Sequence, residues 1–498
     1  MNQQAVSRRS EIVDIFLFFV LSAFTAIFAI SGYFKSSPFP EQFSFLCQHF
    51  HGILNLLMVV CLLIYVFLFL FFIQRRYLKT GRRISPWLIS LFLLFVLFRA
   101  VTDFSSPYHP FEEVVRSPFH PLDYTLQYDG IPMADRIVNF LCETAVLSFC
   151  ILPFTYLKEM NKSYLAKFFL AILFALAALG LVATLYSFMT EWNEILFNIK
   201  LFFFRQNDTD HEFCLIKSFT THKNVFGYFL WSASISLFLL SVYQQKFKLL
   251  NLILMIYFLF FCIIIKTRFP MALTAITILF YLLYMAIDLR RKAKGFSIFC
   301  FSVLGCLFLS ILFLLTIGKD CSISRKIISL FQDFSEIANL LGRKDLWKRA
   351  ICLINSPFHL FFGYGKEQYI YFFDQSGLLM GREIVDLCHN GFIDILVSYG
   401  ILGLLPVVLL HVVLIEKDIR LILKKNWRGI LYLFLFITIT SYGFVESRVL
   451  LGLDGSSFFI FLLLMMPTMI DDAFYTETES NDIYRSIAMK DILLKGIH

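Results

Sequence analysis

From Val66 to Phe72 the chain reads Val-Phe-Leu-Phe-Leu-Phe-Phe, a run with no polar face to turn toward water. Apolar stretches of about 20 residues, the length of helix that crosses the hydrocarbon core of a bilayer, recur throughout the chain. They fall near 12–34, 52–73, 85–101, 136–157, 165–189, 224–243, 248–265, 269–287, 296–317, 391–415, 429–446 and 456–470. Composition agrees where it decides. Hydrophobic residues make up 58% and charged residues 16%, against roughly 25% charged in ordinary globular domains, so soluble and disordered readings both fall. The expectation is an all-α polytopic membrane protein with about twelve transmembrane helices. The first stretch follows Arg8-Arg9 but exceeds the core of a signal peptide, about 7 to 15 residues, and reads as a retained helix.

The formal charge of +8 does not point to nucleic acid, because membrane proteins concentrate Lys and Arg in cytoplasmic loops. With the N-terminus inside, Arg75 to Arg83, Lys158 to Lys167, Arg290 to Lys294 and Lys417 to Arg428 all lie in the cytoplasm, as the positive-inside rule requires. The chain then divides into a nine-helix membrane region (1–317), a large exported loop (318–390), a three-helix membrane region (391–470) and a cytoplasmic tail (471–498). Lesser exported loops cover 102–135 and 190–223. Inside the large loop, Ile327, Leu330, Phe331, Phe334, Ile337, Ala338 and Leu341 repeat at helical spacing. A second helix is expected after Gly342, from Arg343 to about Ile354, with Arg343 and Trp347 on one face. The eleven cysteines show no C-x-x-C pair, and no metal or disulfide framework is implied.

Chemistry-bearing residues gather on the predicted outer side. His389-Asn390 is followed, nine residues on, by Gly400-Ile401-Leu402-Gly403. The pair is expected at a helix N-terminus, where unpaired N–H groups and the macrodipole favour an anion such as phosphate. Gly400 and Gly403, expected about 16 Å further down the axis, read as helix-packing positions. On position alone His389 is either an interfacial capping histidine or a catalytic one. Gly342-Arg343-Lys344-Asp345-Leu346-Trp347, then Phe362-Gly363-Tyr364-Gly365, lies in the same exported loop, and Lys266-Thr267-Arg268 occupies a tight outer turn. Each alone also fits a lipid-headgroup contact, a solvated charge or, for Lys266, snorkelling. Together they set arginines, suited to bidentate phosphate binding, and a histidine on one membrane face.

The pattern His-Asn-x9-Gly-x-x-Gly, the upstream Gly-Arg-x-x-x-Trp, the Thr-Arg turn and His222-Lys223-Asn224-Val225-Phe226-Gly227 together resemble the O-antigen ligase and polymerase family of bacterial envelope glycosyltransferases. The resemblance covers roughly residues 215–415. It implies a GT-C-like membrane fold in the bacterial inner membrane with the active site facing the periplasm. It also implies transfer of a glycan from a polyprenyl (undecaprenyl) pyrophosphate carrier to a sugar hydroxyl on a lipid-linked acceptor, without metal or cofactor. His389 corresponds to the family's essential histidine, and Arg343 and Arg268 to its arginines. Asn390, Lys266, His222, Lys223, Asn224 and Trp347 are then substrate-binding candidates. Phe269-Pro270 after Arg268 departs from the small residues of the family pattern. The partners implied are the donor, the acceptor and the bilayer, with no nucleic acid.

Asp208-Thr209-Asp210-His211-Glu212 has the residue types for a divalent cation, but its place in an exported loop favours a solvated acidic segment. Arg99, Glu143, Asp394 and His411 fall within spans, where ionisable groups are functional candidates by default; Arg99 also fits snorkelling, and Asp394 is placed to orient polar groups near Asn390. A polymerase using a carrier-linked repeat as acceptor shares the same donor site. A lipid-linked glycan flippase is a further alternative, although transporters typically show two related halves and none is evident. Eight of the ten histidines fall on the predicted outer face, which favours chemistry there.

Overall fold

The computed structural model describes residues 86–105, 111–115, 124–128, 162–204, 223–244, 247–289, 343–365, 379–380, 383–384, 388–424 and 428–446, with scattered single positions elsewhere. The expected spans at 12–34 and 296–317, most of those at 52–73, 136–157 and 456–470, the amphipathic stripe 327–341, the acidic cluster 208–212, Glu143 and His222 lie outside the described residues.

In chain order the helices are α1 Pro86–Ser105, α2 Lys162–Thr190, α3 Trp192–Phe204, α4 Lys223–Gln244, α5 Lys248–Ile264, α6 Arg268–Leu289, α7 Arg343–Cys352, α8 Pro357–Phe362, α9 Gly391–Leu423 and α10 Arg428–Gly443. Four described segments are long and apolar enough to cross a bilayer: Phe169–Thr190, Lys223–Gln244, Arg268–Ala286 and Gly391–Leu423. The fold differs from the all-α expectation in two antiparallel hairpins. Phe111–Val115 (β1) pairs with Tyr124–Tyr128 (β2), and Leu379–Met380 (β3) with Glu383–Ile384 (β4). Both interrupt segments expected to be exported, where hydropathy gives no signal for strand pairing.

The chain forms two compact units. In one, α4 packs against α5 and α6, and α3 against α5. Helix α4 is apolar all round and buried from Phe226 to Tyr243, as a central helix must be. Its serines are satisfied locally: the hydroxyls of Ser232, Ser234, Ser236 and Ser241 donate to the carbonyls of Tyr228, Leu230, Ser232 and Leu237. Cross-helix polar contacts add register. Asn251 Nδ2 donates to Ser241 Oγ at 2.7 Å, and Trp231 Nε1 to Thr277 Oγ1 at 3.3 Å. At the other end of α4, Gly227 admits the α5–α6 turn, since a Cβ there would lie 2.6 Å from Thr267 Oγ1.

The second unit carries α1, α8, α9 and α10, with α9 against α10, α8 and α1. Helix α9 is broken at Gly400, whose φ of 65° and ψ of −170° are not helical. Unbroken helix would hold Phe392 and His411 about 28 Å apart, yet their ring centroids are 5.4 Å apart. The arm 391–399 therefore folds back along the arm 401–423. Breaking the helix frees carbonyls, and the Phe-Gly-Tyr-Gly segment takes them. Tyr364 N–H donates to Val397 O at 3.0 Å and Gly365 N–H to Ser398 O at 2.8 Å. Gly400 thus stands at a chain reversal rather than against a neighbouring straight helix. Gly403 stands just beyond it, where a Cβ would lie 2.3 Å from Tyr399 Cβ.

Arg99 does not snorkel. It is 3% exposed, with its guanidinium carbon 5.1 Å from the centroid of the Tyr399 ring, beside the break. Three residues on, Thr102 Oγ1 lies 2.7 Å from the carbonyl oxygen of Phe362, which ties α1 to the segment that fills the break.

Candidate functional site

His389 occupies the turn before α9. Its φ of 55° is left-handed, a conformation that only a few per cent of non-glycine residues adopt and that tends to cluster at functional sites. Its neighbours hold it there. Asn390 caps α9, its Oδ1 accepting from the N–H of Phe392 at 3.1 Å and of Ile393 at 3.2 Å. On the other side Cys388 N–H donates to Asp394 Oδ1 at 3.2 Å, and Cys388 Sγ lies 3.0 Å from the same oxygen. Asp394 thus orients the backbone next to His389, as its position one turn below Asn390 led us to expect.

The imidazole contacts Glu446, which follows the C-terminal end of α10: Nδ1 is 3.2 Å from Oε2, with side chains 31% and 14% exposed respectively. The main chains also meet, Gly391 N–H donating to Glu446 O at 3.1 Å. This corrects one expectation. The N–H groups of Gly391, Phe392 and Ile393 are already engaged by Glu446 O and Asn390 Oδ1, so this helix end does not offer them to a phosphate. The macrodipole remains, and the imidazole is the titratable group of the turn.

Arg343 is the first residue of α7, 8% exposed, with Leu346 and Ala350 on the same buried face. Trp347 is half-buried one turn on. Arg268 is the first residue of α6 and half-buried. The turn before it is a Schellman motif: Thr267 N–H donates to Cys262 O and Lys266 N–H to Ile263 O. That motif puts Lys266 at the left-handed position, φ 54°, usually held by glycine. A cation in the first turn opposes the macrodipole unless an anion is near. The Gly227–Thr267 contact brings two sequence motifs together, since Lys223 and Asn224 open the helix that the Lys266–Arg268 turn packs on.

His411 is not part of the site. Its Nδ1 is 2.7 Å from Val407 O in its own helix, and its ring lies between Phe392 and Phe436. Sequence reasoning missed Glu446. It stood at the predicted outer end of span eleven, on the same predicted face as His389, and an acidic residue there was the available signal. The described residues hold no group of three or more His, Cys, Asp or Glu placed to bind a metal ion.

Bilayer-length apolar helices with a histidine–carboxylate pair at a helix end define a helical membrane protein that carries a polar site. Residues 250–408 match the family model described as O-antigen ligase, so the resemblance carried by the motifs is borne out over that stretch, and the match supports in general a function of the O-antigen ligase or polymerase type. The stretch contains Arg268, Arg343, His389, Gly400 and Gly403 and leaves out Lys223, Asn224 and Glu446. No curated protein matches the chain.

Proposed function

We propose that the protein is an O-antigen ligase-like glycosyltransferase of the bacterial inner membrane. It moves a glycan from an undecaprenyl pyrophosphate carrier to a sugar hydroxyl of a lipid A-core acceptor at the periplasmic face. The observation that carries this reading is the matched stretch itself: it contains, in order, Arg268 and Arg343, each the first residue of a helix, and His389 in the turn before one.

Their roles follow from side-chain chemistry. His389 takes the proton of the acceptor hydroxyl as its oxygen attacks the anomeric carbon, an imidazole being suited to this near neutral pH. Arg343 and Arg268 hold the pyrophosphate and stabilise the charge it gains on leaving. Lys266, Lys223 and Asn224, grouped at one end of α4 to α6, add positive charge and hydrogen bonds for the donor. His222 and Trp347 complete the proposed binding set, and residues 318–390 lie on the periplasmic side.

The test is glycan transfer by purified protein in lipid discs, from undecaprenyl-pyrophosphate-linked oligosaccharide to lipid A-core. His389→Ala is expected to lower single-turnover transfer by about 10² to 10⁴ with donor binding kept. Arg343→Lys is impaired despite its charge, because the planar fork is lost, and Arg268→Ala weakens donor binding. Near-normal transfer by folded His389→Ala and Arg343→Ala would place the site elsewhere. In a deletion strain, accumulation of carrier-linked polymer marks loss of a ligase, whereas single capped repeats mark loss of a polymerase.

A further inference from the structure

We infer that Glu446 is a positioning residue for His389, fixing its tautomer and stabilising the imidazolium formed during transfer; this rests on the reading of His389 as the base. An ionised carboxylate only accepts hydrogen bonds, so the 3.2 Å contact between Glu446 Oε2 and His389 Nδ1 requires the hydrogen on Nδ1. The lone pair is then on Nε2, the nitrogen that takes the acceptor's proton in the proposed reaction, on a side chain 31% exposed. Such a pairing is the general arrangement by which a second group orients a base.

Four further observations indicate that the pair is built rather than incidental. Glu446 is locked by its own main chain, N–H to Tyr442 O at 2.9 Å and carbonyl to Gly391 N–H at 3.1 Å. Phe444 and Phe392 flank the junction with ring centroids 4.7 Å apart. His389 is held in a left-handed conformation by neighbours on both sides, which aims its ring at α10. At 14% exposure the carboxylate is largely desolvated, a state that is costly without a partner.

In the reaction, the acceptor O–H bond breaks and its proton goes to Nε2. The oxygen's electron pair forms the new bond to the anomeric carbon. The bond from that carbon to the pyrophosphate oxygen breaks, the leaving group taking the electrons. The Nε2 proton then passes to the departing pyrophosphate or to water, and throughout Glu446 keeps Nδ1–H and balances the positive ring.

The test measures donor binding and single-turnover transfer from undecaprenyl-pyrophosphate-linked oligosaccharide to lipid A-core in E446A, E446Q, H389A and H389A/E446A. E446A is expected to slow transfer by about 10- to 100-fold, part of the 10² to 10⁴ that general-base help is worth, with donor affinity unchanged. E446Q, whose amide oxygen still accepts from Nδ1–H, recovers part of that loss. The double variant transfers no more slowly than H389A alone, because the carboxylate acts through the ring. Normal transfer by E446A, or a double variant slower than H389A, overturns the inference while leaving His389 as the base. Full transfer by H389A overturns the proposed function instead. If E446A fails to insert or fold, E446Q decides, and a Gln variant equal to wild type in rate overturns the role of the charge.

Discussion

Gly363 and Gly400 meet backbone to backbone. A Cβ on Gly363 would stand 2.4 Å from the carbonyl carbon of Ser398, and one on Gly400 would stand 2.2 Å from that of Phe361. Both have positive φ, so neither position tolerates a side chain on conformational or on steric grounds.

Gly400→Ala is therefore expected to destabilise by about 2 to 4 kcal/mol, combining the left-handed penalty with overpacking. Ile401→Ala, at an exposed neighbouring position, should change stability far less. Thermal unfolding of the two variants in detergent checks this, and equal midpoints would mean that the reversal at Gly400 does not hold the fold.

Arg99 and Tyr399 should be energetically coupled. A desolvated cation over an aromatic face is worth about 2 kcal/mol, and less where water reaches it. Arg99→Met, Tyr399→Leu and the double variant form a cycle that isolates the pair from its other contacts. A coupling energy within error of zero would assign Arg99 to its remaining partners.

His359 gives a pH dependence whose sign is fixed. Its ring stacks on Tyr364 at 3.8 Å with Nδ1 2.8 Å from Asn355 Oδ1, and burial holds its pKa below the ordinary 6.5. The fold thus favours the neutral ring. Its contribution is complete above about pH 6.5, and it declines as pH falls below that value, because the unfolded chain takes up a proton before the folded one does. Unfolding midpoints at roughly pH 7.5 and 5.5 should show a smaller acid-induced loss in His359→Gln than in wild type. An equal loss would assign the acid sensitivity to other groups.

Transfer should also continue in excess chelator, since in the proposed function two arginines supply the positive charge that a metal provides elsewhere. Activity lost to chelator, restored by magnesium or manganese and abolished in Asp208→Ala with Asp210→Ala, would show that the acidic cluster binds a cation.

Much of the helical frame was legible. The stretches expected at 224–243, 248–265 and 429–446 correspond to Lys223–Gln244, Lys248–Ile264 and Arg428–Gly443, because bilayer-length apolar runs have few other solutions. The helix expected after Gly342 is present and ends at Cys352. What hydropathy does not encode is the path of the chain. Gly400 lies in an apolar run that reads as continuous, and only the positive φ and the approach of Phe361 reveal a reversal. Glu446 is 57 residues from His389, too far for spacing to join them. Arg99 looked like an interfacial cation because its aromatic partner comes from a distant helix.

For the proposed reaction, the reversal at Gly400 bears on where the donor's electrophilic carbon would meet its nucleophile. At 1.5 Å per residue the apolar part of the second arm, 401–415, is about 22 Å long, most of a hydrocarbon core of about 30 Å. The Phe392 ring touches both His411 on that arm and Phe444 beyond the end of α10, so the start of α9 lies back along the arm from Gly400. Under the proposed topology, with Gly400 toward the outer end of the arm, the fold-back keeps the imidazole beside the bilayer rather than out in the periplasm, where water is plentiful. The competition between a sugar alcohol and solvent for the activated glycan is then biased toward the alcohol, and an acceptor tethered to lipid reaches that position more readily than a free sugar.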